Sequence, residues 1–182
     1  MTRPLEGLRV AFLAAHGVEQ IEHQTPWHAL ADAGAQPELL SSSTDPVQAF
    51  TFPSHGDLLT VDRAITAAAS DDYAAVVLPG GTAGPDLLRG DPAAVSFIRA
   101  VHDRGMPVAA ICHAPWLLIE AGLAHERSLT SWPTLATDIR NAGGTWVDQD
   151  VVSDRGIITS RSPDDLPAFC NAIIAAIQQT GS

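Results

Sequence analysis

Cys112 and His113 stand side by side in Ala110-Ile111-Cys112-His113-Ala114, between an apolar run and a helix-like segment that begins at Pro115. An ionised thiol is a strong nucleophile, and an imidazole beside it can take or return a proton. A nucleophile elbow requires a strand that turns sharply into a helix, with small residues two places before and after the nucleophile so that the backbones can approach. Alanine occupies both places here. The free N–H groups and dipole of the following helix are expected to lower the pKa of a thiol so placed. The bland alternative is a buried small hydrophobe. That alternative is preferred for Cys170, which lies in Phe169-Cys170-Asn171-Ala172-Ile173-Ile174 with no comparable polar neighbour.

Two further segments carry candidate groups. Leu78-Pro79-Gly80-Gly81 ends an apolar run, and its glycines let backbone N–H groups face a substrate with no side chain between. The amides of Gly81 and His113 are therefore candidates for an oxyanion hole. Glu19 opens the helix after the first strand, at the same edge of the expected sheet. It is either a first-turn acid stabilised by the helix dipole, or a carboxyl beside the thiol, with its pKa raised by desolvation, that donates a hydrogen bond to the thiolate. Glu19 and His23 are spaced i, i+4, with Glu22 and His28 nearby, but neither His-Glu-x-x-His nor Cys-x-x-Cys occurs, and neither a metal nor a cofactor is expected.

Short apolar runs alternate with helix-like segments along the whole chain, the pattern of a mostly parallel sheet covered on both faces. Strands are expected at Leu8–Ala14, Pro37–Ser41, Ala74–Leu78, Val108–Ile111, Thr145–Val152 and Gly156–Ser160. Helices are expected over Glu19–Ala33, closed by Gly34, over Pro92–Arg104 with Asp91 as N-cap, and over Pro115–Ala121, Thr134–Asn141 and Asp164–Gln178. The stretch to Asp62 is expected to hold a small hairpin. This arrangement brings the Cys112, Gly81 and Glu19 segments to the C-terminal edge of the sheet, where open α/β sheets bind ligands.

Composition narrows the chemistry. All ten basic residues are arginine, so Schiff-base chemistry and the phosphate-cradling lysine of a P-loop are excluded. A net charge of −11 argues against a nucleic-acid partner. No apolar run approaches the roughly 18 residues needed to span a bilayer, and Met1-Thr2-Arg3-Pro4-Leu5-Glu6 lacks a leader-like layout. The reading is a cytoplasmic protein with no membrane partner. At 182 residues and 46% hydrophobic content, one domain over 1–182 is expected, at about 100–200 residues per domain.

Taken in order, Val10-Ala11-Phe12-Leu13 through Gly17-Val18-Glu19, Val76 to Gly81, Ala110 to Pro115, Thr130-Ser131-Trp132-Pro133 and Thr159 to Phe169 resemble the DJ-1/PfpI superfamily, most closely its PfpI-like, intracellular protease I branch. The resemblance implies a flavodoxin-like three-layer α/β sandwich, Cys112 as elbow nucleophile, Glu19 as the acid bonded to the thiol, and His113 as the adjacent catalytic histidine. It also implies self-association as a dimer or trimer of dimers. In that branch a carboxylate from a neighbouring subunit completes a Cys-His-acid triad, and by position this is Asp86. The family's Cys-His-Gly-Pro is Cys-His-Ala114-Pro here, and His16 replaces an acid in the first loop, which makes it a candidate pocket residue.

The function implied is that of a cofactor-independent cysteine enzyme acting on small reactive carbonyls or on their peptide and protein adducts. Peptide or amide hydrolysis would use the same residues, and a non-catalytic redox sensor would use Cys112 alone. A glutamine amidotransferase needs a distant histidine and acid; the only later histidine is His125, with Glu126 adjacent rather than two residues on.

Overall fold

A computed structural model describes residues 3–180; Met1 and Thr2 of the segment read for a leader, and the last two residues, lie outside the described residues. The strands are β1 (Arg9–Leu13), β2 (Val18–Glu19), β3 (Gln36–Ser41), β4 (Val47–Thr51), β5 (Ser54–Leu59), β6 (Arg63–Ala64), β7 (Ala75–Leu78), β8 (Val108–Ile111), β9 (Ser128–Leu129), β10 (Thr145–Trp146), β11 (Val151–Asp154) and β12 (Ile157–Ser160). The helices are α1 (Gln20–Asp32), α2 (Ala83–Arg89), α3 (Pro92–Asp103), α4 (Pro115–Glu120), α5 (Ala136–Asn141) and α6 (Leu166–Thr180). The main sheet runs β11-β12-β8-β7-β1-β3-β6, parallel throughout except for β11 at its edge.

Strands β7 and β8 are apolar and buried along their whole length because both sheet faces are covered. Alternation divides their side chains between two cores. Ala11, Leu13, Val76, Leu78, Val108 and Ala110 pack with Phe97, Ile98 and Val101 of α3 and Leu117 and Leu118 of α4. Val10, Phe12, Val77, Ala109 and Ile111 pack with Leu30 of α1 and Phe169, Ile173 and Ile177 of α6. The chain is thus the helix–sheet–helix sandwich expected.

The local signals act where they stand. Gly34 takes φ +101° after α1, and Asp91 Oδ1 accepts the Ala93 N–H at 2.9 Å to cap α3. The expected hairpin is the antiparallel pair β4–β5, which β2 extends. Two elements differ from expectation. The strand expected over Thr145–Val152 is split into β10 and β11, because the intervening Asp148 and Asp150 are exposed and turn to the guanidinium of Arg161. Helix α2 is an addition to the expected elements; its Gly84 and Pro85 are buried, and Gly84 lets α2 approach Val18 so closely that a Cβ there would lie 3.0 Å from Val18 N. Among the described residues no helix is long and apolar enough to cross a membrane.

Candidate active site

Strand β8 ends at Ile111, α4 starts at Pro115, and Cys112 makes the turn between them with φ +63°. A non-glycine residue in this region costs about 1–2 kcal/mol, so the surroundings must enforce the conformation. They do so through the backbone: Cys112 N–H donates to Ser160 O at 3.1 Å, and Trp132 N–H donates to Cys112 O at 2.8 Å. Ala110 and Ala114 are fully buried on either side, so the methyl of Ala114 is absorbed by packing.

The Pro79-Gly80-Gly81 loop leaves β7, the strand next to β8. A Cβ on Gly80 would stand 2.7 Å from Cys112 Cβ, and one on Gly81, where φ is +80°, would stand 2.3 Å from Gly17 O. Only glycine permits this approach. It brings the Gly81 N–H to the thiol, where it and the His113 N–H both favour the thiolate. These are the amides expected to form an oxyanion hole.

The carboxyl that meets the thiol is Glu22, not Glu19 as expected. Glu19 precedes α1 with extended backbone and is half-buried; its carboxyl accepts the backbone N–H of Phe52 at the hairpin tip. Burial shifts its pKa upward. Glu22, one helical turn later, is fully buried, and its Oε2 accepts the Gly80 N–H at 2.9 Å. Its Oε1 is buried without a conventional partner, and the polar group left to this carboxyl is the Cys112 thiol. One sequence signal could have found it. Glu22 lies on the same face of α1 as Pro26 and Leu30, all buried, and a glutamate on an apolar stripe requires a reason.

Desolvation raises Glu22 to about 7, opposed by the thiol and by the amides of Gly80 and Gly81. Burial and the adjacent Glu22 carboxylate likewise push the Cys112 thiol up, against the pull of the Gly81 and His113 amides. The expected lowering by the helix terminus is therefore outweighed: α4 has six residues, and desolvation beside an acid is the larger effect. The two groups titrate together. Once the proton resides on Glu22, the carboxylate's repulsion disappears and the carboxyl can donate to the sulfur.

His113 Nδ1 lies 3.2 Å from Cys112 Sγ. Its ring is held between Trp132, stacked at 5.9 Å and 23°, and Trp116 at 5.3 Å. Trp116 is itself fixed by Asp138, which accepts its Nε1–H at 2.9 Å. Burial lowers the His113 pKa, keeping the ring neutral and able to accept a proton. Sequence reasoning did not place either tryptophan at the site. Asp86 is exposed in the first turn of α2, and no hydrogen bond or ion pair joins it to His113 among the described residues. His16 is exposed and accepts the Gln48 N–H on Nδ1 at 3.0 Å, which makes it a brace for the hairpin rather than a pocket residue. Among the described residues no group of three or more His, Cys, Asp or Glu side chains is placed to hold a metal ion.

A mostly parallel α/β sandwich with a strained cysteine elbow between a Gly-Gly loop and a buried glutamate defines a known class. Residues 8–176 match the DJ-1/PfpI family, and the chain belongs to it. It is 34% identical over 171 residues to a deglycase of Thermococcus kodakarensis, covering 94% of this chain and 100% of that one. It is 35% identical, at the same coverage, to a deglycase of Pyrococcus horikoshii. Among solved structures, Drosophila melanogaster DJ-1beta superposes with TM-score 0.84 at 27% identity, covering 96% of this chain and 95% of that one. A two-domain Anabaena variabilis protein with DJ-1/ThiJ/PfpI-like and ferritin-like domains gives TM-score 0.87 at 32% identity over 96% of this chain, which spans 48% of that longer protein.

Proposed function

We propose that the protein is a cofactor-independent cysteine enzyme of glyoxalase or deglycase type, which attacks reactive carbonyls with the Cys112 thiolate. The observation that carries this reading is the convergence on one sulfur of a buried Glu22 carboxyl, the His113 imidazole and the amides of Gly81 and His113. The deglycase names of two relatives at about 35% identity support the substrate class.

In this reading Glu22 takes the thiol proton, and the sulfur adds to the aldehyde carbon of a dicarbonyl. A C–S bond forms, the C=O π pair moves to oxygen, and the Gly81 and His113 N–H groups hold the resulting oxyanion. His113 and Glu22 then carry a proton from the adduct carbon to its neighbour, so that the hemithioacetal becomes a thioester of the 2-hydroxy acid. Water cleaves the thioester and restores the thiol, and no external oxidant or reductant is consumed. On a glycated amine, where the aldehyde carbon has become a hemiaminal, His113 would pass the hydroxyl proton to nitrogen, so that the C–N bond breaks as the C=O forms and the freed aldehyde is then attacked by the thiolate. In this reading the chain self-associates, and the exposed Asp86 of one copy would complete the site of another.

Loss of methylglyoxal should be measured for the natural chain and for Cys112→Ala and Glu22→Gln. Rapid loss in the first and near-background rates in the others are expected; equal rates in all three would sink the reading. Faster cleavage of a peptide amide in a parallel assay would move the function to hydrolysis.

A further inference from the structure

A histidine that carries a proton is ordinarily oriented by a hydrogen bond at its second ring nitrogen. His113 lacks one. Among the described residues its only hydrogen-bond contact is Nδ1 to Cys112 Sγ at 3.2 Å, and nothing bonds to Nε2. Rotation of the side chain about χ1 or χ2 would break that single contact. What holds the ring against the sulfur is packing: Trp132 stacks on it with an interplanar angle of 23°, and Trp116 meets it at 60° with the centroids 5.3 Å apart.

The two indoles are held in different ways. Trp132 is anchored through its backbone, whose N–H donates to Cys112 O at 2.8 Å. Trp116, the second residue of α4, is fixed through its side chain by residues of two other helices. Asp138 Oδ2 of α5 accepts the Nε1–H at 2.9 Å, and the Arg89 guanidinium of α2 lies 5.6 Å from the ring centroid. Arg89 is tied in turn to Glu120 at 3.4 Å. An indole has one N–H and no acceptor, so a single carboxylate oxygen decides which way the ring is turned. Loss of that oxygen frees the indole to turn away from His113.

We propose that Asp138 is a positioning residue for His113: by accepting the Trp116 N–H it holds that indole against the imidazole and keeps Nδ1 facing Cys112 Sγ. The role rests on the reading of His113 as the proton carrier, and Asp138 acts in it without touching the reacting atoms. Misplacing a reacting group by about 1 Å can cost about a hundredfold in rate, so a ring loosened on one side should cost less than that but measurably.

The test compares Asp138→Ala with Asp138→Asn, whose amide oxygen still accepts the N–H, and with Trp116→Phe, which keeps a ring and loses the donor. Asp138→Ala and Trp116→Phe should each lower kcat for methylglyoxal about tenfold with KM within about twofold, and Asp138→Asn should restore most of the rate. Asp138→Ala combined with Trp116→Phe should be no slower than either alone, because both remove the same bond. Thermal melts show that each variant is folded. The second readout needs no turnover: the His113 Hε1 resonance, assigned with His113→Gln, is followed through pH. Burial holds the His113 pKa below its ordinary value of 6.5. With the clamp loosened the ring gains water, so its pKa should rise toward 6.5 in Asp138→Ala and stay in place in Asp138→Asn, whereas loss of the carboxylate's charge alone would lower it in both. A pKa unmoved or lowered in Asp138→Ala, an equal rise in Asp138→Asn, or rate losses that multiply in the combined variant would overturn the proposal. Absence of turnover by the natural chain would instead overturn the assigned function, and the titration would still judge the clamp.

Discussion

Cys112 and Cys170 are nearly equally buried, at 7% and 6% exposure, yet the first stands against an acid and an imidazole and the second within a helix. Cys170 lies inside α6 with an ordinary helical backbone, and burial alone pushes its thiol up to about 11. Burial pushes the Cys112 thiol up too, but there an acid that holds a proton near neutrality stands against the sulfur, with two amides and an imidazole. Desolvation by itself makes a thiol inert. Desolvation shared with a carboxyl that can accept the proton makes it conditionally nucleophilic, and the φ of +63° at Cys112 is what delivers the side chain to that company.

The largest test of this contrast is substitution of each cysteine. Cys112→Ala should lower kcat/KM for methylglyoxal by at least about a thousandfold, and Cys170→Ala should leave it within about twofold. A large loss in the second variant would break the contrast.

Exchange of the two acids of the α1 entry comes next. Glu22→Gln should reduce kcat about a hundredfold, whereas Glu19→Gln, whose carboxyl serves the Phe52 amide, should change it less than about fivefold. The folded pKa of Glu22, about 7, lies above its unfolded value, so the native state binds the extra proton between about pH 4.5 and 7 and loses stability as pH rises through that window. Glu22→Gln should therefore be more stable than the natural chain at pH 8, by up to about 3 kcal/mol in denaturant unfolding, with the gain fading below about pH 5. A variant equally stable at both pH values would show that the carboxyl is not desolvated.

Alkylation gives a smaller but direct comparison of the thiols. With iodoacetamide at pH 7.5, mass spectrometry should find Cys112 modified at least about tenfold faster than Cys170, and Glu22→Gln should narrow the ratio. The smallest expected effect is on stability: Cys170→Ala should cost about 1 kcal/mol in urea unfolding, the loss of a packed sulfur at a site of no other consequence.

Much of this was legible from residues alone, and the exceptions share a cause. The elbow, the Gly-Gly loop and the strands β1, β7 and β8 are set by local pattern, because buried parallel strands are continuous apolar runs and tight turns need small residues. Glu22 and Glu19 are both acids near a helix start, and composition does not distinguish them. The rotation of α1, fixed by burial of Pro26 and Leu30, decides which carboxyl reaches the sulfur. Trp116 and Trp132 are brought to His113 by α4 and by the Cys112–Trp132 backbone bond, contacts that no spacing announces.

By itself, then, the sequence determined the cysteine elbow, the sheet edge on which it stands and the exclusion of lysine chemistry, because each follows from residue identity and short-range backbone preference. The tertiary structure decided which carboxyl meets the thiol and which aromatic rings clamp His113. Those depend on which side chains are desolvated together, and desolvation is a property of packing between elements distant in the chain.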